Sequence, residues 1–317
     1  MAQGEWQSRV TTTEDADEAV GRVNEYYMLE NLGKGAFAKV KLCERRVESS
    51  QPRPFAAKIM SKSALWKMKE YVREGGTMRA VTALDKAEAE IEIMSTLYHR
   101  NVVLLFEVIN DPESDKIYLI LEYMSKGPCM VYDAETKHFK SPITGSVLME
   151  ELAKKHVRDI VQGVIYLHGR GVCHRDIKPD NILLNADGRC HLSDFGCAQS
   201  CHAAITDTLG TFQFFAPECC SGEPFDPFLA DAWAIGVTVY VFLFGVLPFD
   251  APTTKELFED ILEKPVEYPA DAAASLSPMC MDFLEFALQK DPKYRTSVPH
   301  MDLHPWLAPD AEEPPSF

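Results

Sequence analysis

The sequence predicts an α+β fold of two lobes, a strand-rich first lobe with one main helix and a mostly helical second lobe. Three observations carry this expectation. The 317 residues suit one large domain or two lobes. Short apolar runs bounded by turn residues crowd positions 23–123, with one stretch of helical period among them. From about residue 149 onward, apolar residues recur mainly at helical spacing. Apolar residues make up 46% and charged residues 25%, so a packed core can form and collagen, coiled coil and wholesale disorder are excluded.

The elements follow in order. Residues 1–22 are polar, with an acidic run at Glu14–Glu18, and are expected to be flexible. Tyr26–Leu32 reads as a strand, LGKGAFAKVKL (Leu32–Leu42) as a glycine turn leading into a second, and Phe55–Met60 as a third. Residues 61–86 are basic within an acidic chain, carrying Lys62, Lys67, Lys69, Arg73 and Arg79 around a Gly75-Gly76 break. A helix is expected over Asp85–Tyr98, with Ala87, Ile91 and Met94 on one face. Strands at Val102–Ile109 and Ile117–Tyr123 complete a first lobe over 23–123, and the chain passes into the second lobe, 124–308, near Glu122–Gly127. There a helix over Met149–His168 precedes short strands at Ile182–Leu184 and Cys190–Ser193 around a turn at Asn185–Gly188. Trp233–Phe249 carries no charge. Acidic residues Asp231 and Asp250 flank it and two glycines interrupt it, so it reads as a helix buried in a large domain rather than one crossing a membrane. Residues 309–317 form a short acidic, Pro-rich tail.

Charge and cysteines bound the function. With 32 basic and 48 acidic residues the net charge is −16, which argues against nucleic acid as a partner. Nine cysteines, an odd number without paired C-x-x-C spacing, suggest free thiols in a reducing compartment, hence the cytoplasm, and no structural zinc. The N-terminal twenty residues hold no apolar run, so a signal peptide is not expected.

Several motifs carry chemistry. Gly33, Gly35 and Ala38 occupy the small positions of a turn whose backbone can approach phosphates closely. A strand follows that turn, whereas a dinucleotide-binding turn leads into a helix. Lys58, in the apolar segment FAAKIM, needs a partner, and the helix offers Glu88, Glu90 and Glu92. The run Val172-Cys-His-Arg-Asp-Ile-Lys-Pro-Asp-Asn-Ile-Leu-Leu184 brings Asp176, Lys178 and Asn181 into one tight loop. Its carboxylate can orient a hydroxyl, its ammonium can offset phosphoryl charge, and an amide oxygen with Asp194 of Ser193-Asp-Phe-Gly196 can hold a hard cation. Ala216-Pro-Glu218 closes the segment after Asp194.

Together these motifs match the protein-kinase signature set, and the sequence resembles a eukaryotic protein kinase domain from about Tyr26 to Trp306. The resemblance implies the bilobal protein kinase fold, ATP and Mg²⁺ as cofactors, and protein serine/threonine kinase activity. It makes Glu90 the partner of Lys58, and Asp176 and Lys178 catalytic, with Asn181 and Asp194 on the metal. Leu32, Gly33 and Gly35 would contact the nucleotide; Val40, Ala56 and Leu183 would sandwich adenine. Leu121 would be the gatekeeper, and Glu122 and Met124 would present backbone groups to the base. Thr211 matches the threonine that contacts the catalytic loop in Ser/Thr kinases. Glu218 would pair with Arg295, and Asp231 would anchor the long apolar helix.

VNEYYMLENLGKGAFAKVKL, INDPESDKIYLILEYMSKGPCM and LHPWL are similar to calcium/calmodulin-dependent protein kinase kinases. That resemblance implies protein substrates that include the activation loop of a downstream kinase. It also implies a docking insert where residues 61–86 lie, although this insert has no proline. A calmodulin target should be a basic amphipathic helix, and LAPDAEEPPSF after Trp306 carries no such motif. The alternatives are a pseudokinase-like scaffold or a Ser/Thr kinase of another branch of the calmodulin-kinase type. A pseudokinase usually lacks one of Lys58, Asp176, Asn181 and Asp194; all four are present. Arg175 is a cation able to pair with a phosphate on Thr206 or Thr208, and Asp207 between them supplies a built-in negative charge.

Overall fold

The computed structural model describes residues 21–35, 38–46, 52–74, 77–201 and 203–308. The chain divides into two compact units, the first ending at Tyr98 and resuming over Val103–Met124, the second comprising His99–Val102 and the chain from Ser125. The expectations for 1–20 and 309–317 lie outside the described residues.

The first unit is built on an antiparallel sheet of β1 (Arg22–Val23), β2 (Tyr26–Lys34), β3 (Ala38–Arg45), β4 (Arg53–Ser61), β7 (Leu105–Asn110) and β8 (Lys116–Glu122), in the order β1-β2-β3-β4-β8-β7. Between β4 and β7 the chain forms α1 (Lys62–Lys67), β5 (Lys69–Glu74), β6 (Thr77–Thr82) and α2 (Ala83–Ser95). Side chains alternate along a strand, and the core divides accordingly. Tyr118 and Ile120 of β8 join Val23, Tyr26, Phe55 and Ala57 in one cluster. Ile117 and Leu119 join Met60, Leu65 of α1 and Ala87 of α2 in another.

The basic insert forms elements of its own: α1, capped by Ser61, runs into a hairpin whose strands pair from Lys69↔Thr82 to Glu74↔Thr77. Two expectations change here. The helix begins at Ala83 rather than Asp85, because Thr82 and Asp85 form a capping box. The Asp85 N–H donates to Thr82 Oγ1 at 3.1 Å and the Thr82 N–H to Asp85 Oδ2 at 2.7 Å, so the acidic residue is the third of the helix and not its start. β7 starts at Leu105 rather than Val102, because Val102 instead bridges to Leu192 in the second unit.

In the second unit, β9 (Gly127–Pro128), β10 (Val131–Asp133) and β11 (His138–Lys140) are short strands that precede its helices. Two long helices form the core, α3 (Glu150–His168) and, after the strands of the loop region, α4 (Pro227–Phe244). β12 (Val172–Cys173), β13 (Ile182–Leu184), β14 (Cys190–Leu192) and β15 (Gln199–Ser200) lie between them in sequence, and α5 (Thr254–Glu263), α6 (Ala270–Ala273), α7 (Pro278–Ala287) and α8 (Val298–Asp302) follow. α4 is long and apolar enough to cross a membrane, but 83% of its apolar window is buried in the fold. It is capped by Asp226 with Pro227 at its first position, and ends at Gly245 in the left-handed conformation.

Candidate active site

Alternation along β4 carries Lys58 to the face that meets α2, opposite to Phe55 and Ala57. On α2 the buried stripe is Ala87, Glu90 and Met94, so a carboxylate occupies a core-facing position. Each charge answers the other: Lys58 Nζ lies 2.6 Å from Glu90 Oε1, with the two side chains 17% and 6% exposed. Burial makes such a pair costly to break and fixes the lysine in one place. Val40 and Leu119 flank Lys58 in the sheet register, and Ala56 pairs with Leu42 and Leu121. The glycine turn is closed by Gly35 N–H to the Ala38 carbonyl at 2.8 Å, with Gly33 opposite Val40. Leu32 is exposed and Met124 buried. The Glu122 N–H is engaged by the Leu104 carbonyl at 2.9 Å, so any hydrogen bond it makes to a base is through its carbonyl oxygen.

In the second unit, Asp231 of α4 anchors the start of the loop that carries Asp176, Lys178 and Asn181. Its carboxylate accepts from the backbone N–H groups of His174 (2.9 Å) and Arg175 (2.8 Å) and contacts His168 Nε2 at 2.9 Å. Burial would raise the Asp231 carboxyl, but the hydrogen bond and charge of His168 outweigh it and hold it below its ordinary value. Arg175 is held at φ +67 and Asp194 at φ +58, a conformation that non-glycine residues keep only where their surroundings enforce it.

The loop then closes on itself. Lys178 Nζ donates to Asp176 Oδ2 at 2.8 Å and to Thr211 Oγ1 at 2.6 Å. Thr211 donates through its N–H (3.0 Å) and hydroxyl (2.8 Å) to Asp176 Oδ1. Asn181 Nδ2 donates to the Asp176 carbonyl and to Asp176 Oδ2, both at 2.8 Å. Burial would raise the Asp176 carboxyl, yet the charge and hydrogen bond of Lys178, with the Thr211 hydroxyl, keep it below its ordinary value. Asn181 gives its amide nitrogen to Asp176, so its amide oxygen is the end that can face a cation. Ser193, beside Asp194, is tied to Asn181, its hydroxyl and N–H both donating to the Asn181 carbonyl at 2.9 Å. Among the described residues no cluster of three or more His, Cys, Asp or Glu could hold a metal by itself. One amide oxygen and the Asp194 carboxylate are hard donors that suit Mg²⁺, an ion usually held by one or two protein groups together with phosphates.

Sequence reasoning missed two members of this arrangement. Ser193 was seen only as a neighbour of Asp194. Gly210 has φ +119, and a Cβ there would sit 2.4 Å from the Arg175 carbonyl oxygen, so only glycine lets Thr211 reach Asp176. Its place in Leu-Gly-Thr-Phe was the available signal. Leu183 of β13 pairs with Pro128 and His191. Arg295, buried, grips Glu218 with Nη2 to Oε2 at 2.8 Å.

Residues 26–307 match the protein kinase domain, and the chain belongs to that family. Within it the chain is of the serine/threonine class, as its curated relatives show. It is 36% identical over 309 residues to serine/threonine-protein kinase TOS3 of Saccharomyces cerevisiae, a match covering 90% of this chain and 53% of that protein. Serine/threonine-protein kinase GRIK1 of Arabidopsis thaliana is 34% identical over 303 residues, covering 95% and 70%. SNF1-activating kinase 1 of Saccharomyces cerevisiae is 33% identical over 355 residues, covering 97% and 30%. The chain thus spans about half the length of TOS3 and less of SNF1-activating kinase 1.

Proposed function

We propose that this chain transfers the γ-phosphoryl group of ATP to serine or threonine hydroxyls on protein substrates, in the cytoplasm, and that those substrates include other protein kinases. The observation that carries the reading is the closed set of hydrogen bonds joining Asp176, Lys178, Asn181 and Thr211. Mg²⁺, when bound with the nucleotide, supplies neutralisation of phosphate charge, and Asn181 and Asp194 are the residues that would hold it. The Asp176 carboxylate, held below its ordinary value, orients the substrate hydroxyl by accepting it in place of one of the four hydrogen bonds it receives from Lys178, Asn181 and Thr211. Its depressed basicity means that it takes up the proton late, as a loose phosphoryl-transfer transition state requires. Lys178 offsets the charge of the transferring group, and Lys58, fixed by Glu90, meets phosphate oxygens.

The kinase substrate is supported by the likeness to calcium/calmodulin-dependent protein kinase kinases and by the printed name of SNF1-activating kinase 1, which describes that protein's action. The test is incubation with Mg²⁺ and radiolabelled ATP against inactive kinase domains and short peptides, with and without calcium–calmodulin. Phosphoserine or phosphothreonine in an activation loop, lost on Asp194→Asn, supports the reading. Labelling of peptides alone overturns the kinase substrate, and no labelling of any substrate overturns the activity.

A further inference from the structure

The segment from Asp194 to Glu218, the activation segment, is tied to the catalytic loop by more than Thr211. β12 and β15 form a two-rung antiparallel ladder, Val172↔Ser200 and Cys173↔Gln199. The Cys201 N–H extends it by donating to the Gly171 carbonyl at 2.8 Å. On one side of this ladder the sulfurs of Cys173 and Cys201 lie 2.8 Å apart, both side chains buried. That is well inside the ordinary separation of two non-bonded sulfurs, and less than about 1 Å of closure reaches the roughly 2.05 Å of a disulfide. Packing alone would ask only for two small apolar residues here. It does not ask for two thiols in contact across the junction between His174-Arg175-Asp176 and the activation segment.

We propose that Cys173 and Cys201 are an oxidation site. With hydrogen peroxide as two-electron oxidant they close to a disulfide that pins the activation segment to the catalytic loop. One thiolate attacks the peroxide: an S–O bond forms, the O–O bond breaks, and the departing oxygen leaves as water after protonation. The second sulfur then displaces the hydroxyl of the sulfenic acid, forming the S–S bond and releasing a second water. Two thiol protons and two electrons thus reduce one hydrogen peroxide to two waters.

Geometry sets both the specificity and the direction of the effect. Burial pushes both thiols above their ordinary pKa, so the thiolate fraction at neutral pH is small and reaction waits on opening of the two-residue strand β15. The site therefore responds slowly, and its selectivity comes from the neighbouring sulfur rather than from intrinsic reactivity. Because the sulfurs already face each other, oxidation locks this arrangement instead of dismantling it. Gln199, on the same strand, receives a hydrogen bond from Arg175, so the bridge also holds the Arg175 side chain in place.

The experiment uses the full chain, reduced, desalted and treated with hydrogen peroxide under native conditions. Remaining thiols are alkylated and the protein is digested without reduction for mass spectrometry. A linked pair of peptides joining Cys173 to Cys201, lighter by two hydrogens and released by dithiothreitol, is expected. Proteolytic nicking between residues 200 and 208 should slow by about threefold or more on oxidation, and Cys201→Ala should remove both effects while the reduced variant transfers phosphate within about twofold of the parent. Recovery of Cys173 and Cys201 as alkylated thiols, or either of them bridged to another cysteine, overturns the proposal, and needs no variant to be seen.

Discussion

Arg175 donates through Nη2 to the Asp207 carboxylate at 2.9 Å and to the Asp207 carbonyl at 2.6 Å. The arginine side chain is almost wholly buried while the aspartate is half exposed. A cation with so little water around it needs an acceptor, and the activation segment provides one without phosphorylation. The dephosphorylated chain should therefore keep substantial activity. Thr208→Ala should cost less than about tenfold, or about 1.4 kcal/mol in barrier. Asp207→Asn keeps the carbonyl acceptor but loses the charge, and should lower kcat by about three- to tenfold. A steady-state peptide assay after phosphatase treatment checks both. Collapse of activity that returns on rephosphorylation at Thr206 or Thr208 would show that Asp207 does not suffice.

Lys58→Met should lower phosphoryl transfer by more than about 100-fold while the chain remains folded. Glu90 would be left buried without its partner, so a modest fall in Tm should accompany the loss. Turnover with radiolabelled ATP, read beside a thermal melt, separates the two effects. Normal turnover would remove Lys58 from the mechanism.

Gly210→Ala places a methyl group against the Arg175 carbonyl at a backbone angle that alanine resists. Relieving the clash moves Thr211 away from Asp176 and Lys178. We expect about 1–3 kcal/mol of lost stability, with activity falling further than the reduced Tm explains. Denaturant melts and kcat on the same preparation test this.

The hairpin of β5 and β6 can be excised between two paired residues. Leu65 of α1 packs in the first unit and Thr82 caps α2, so both must stay. Lys69 and Thr82 are paired neighbours, so a short Gly-Ser link can replace residues 70–81. The shortened chain should lose more activity on intact kinase domains than on short peptides. Equal losses would mean that the hairpin supports the first unit rather than docking substrates.

His156, buried on α3 with its ring edge-on to Phe242, is pushed by burial down to a pKa of about 4. Its folded value lies below its unfolded value of about 6.5, so between them the unfolded chain binds more protons. Stability therefore falls as pH drops from about 6.5 toward 4, by up to ~3 kcal/mol from this group. His156→Leu should flatten that part of the stability–pH curve in urea titrations. An unchanged slope would place the acid sensitivity elsewhere.

Much of the candidate site was legible because its residues are close in sequence. Asp176, Lys178 and Asn181 fall within six positions, where backbone geometry alone brings side chains together. The apolar run of α4 was legible for a different reason: seventeen uncharged residues have few places to go except a core. The insert was harder. Its mix of charged, small and β-branched residues gives no clear period, and β5 and β6 pair only with each other among the described strands.

What the sequence by itself determined was therefore the class of fold, the catalytic loop and the order of the elements, each set by local spacing. Tertiary structure supplied the physical basis of the long-range pairings. The resemblance pointed to Glu90 as the partner of Lys58, and the fold gives the reason: of Glu88, Glu90 and Glu92 only position 90 lies on the buried stripe of α2. Val102 leaves the strand predicted for it, because its backbone finds Leu192 instead. Arg175 meets Asp207, and Cys173 meets Cys201, across 32 and 28 positions of chain. Such pairings depend on where β12, β15 and α4 converge, and the energy that selects them comes from burial of groups far apart in sequence, which no local pattern encodes.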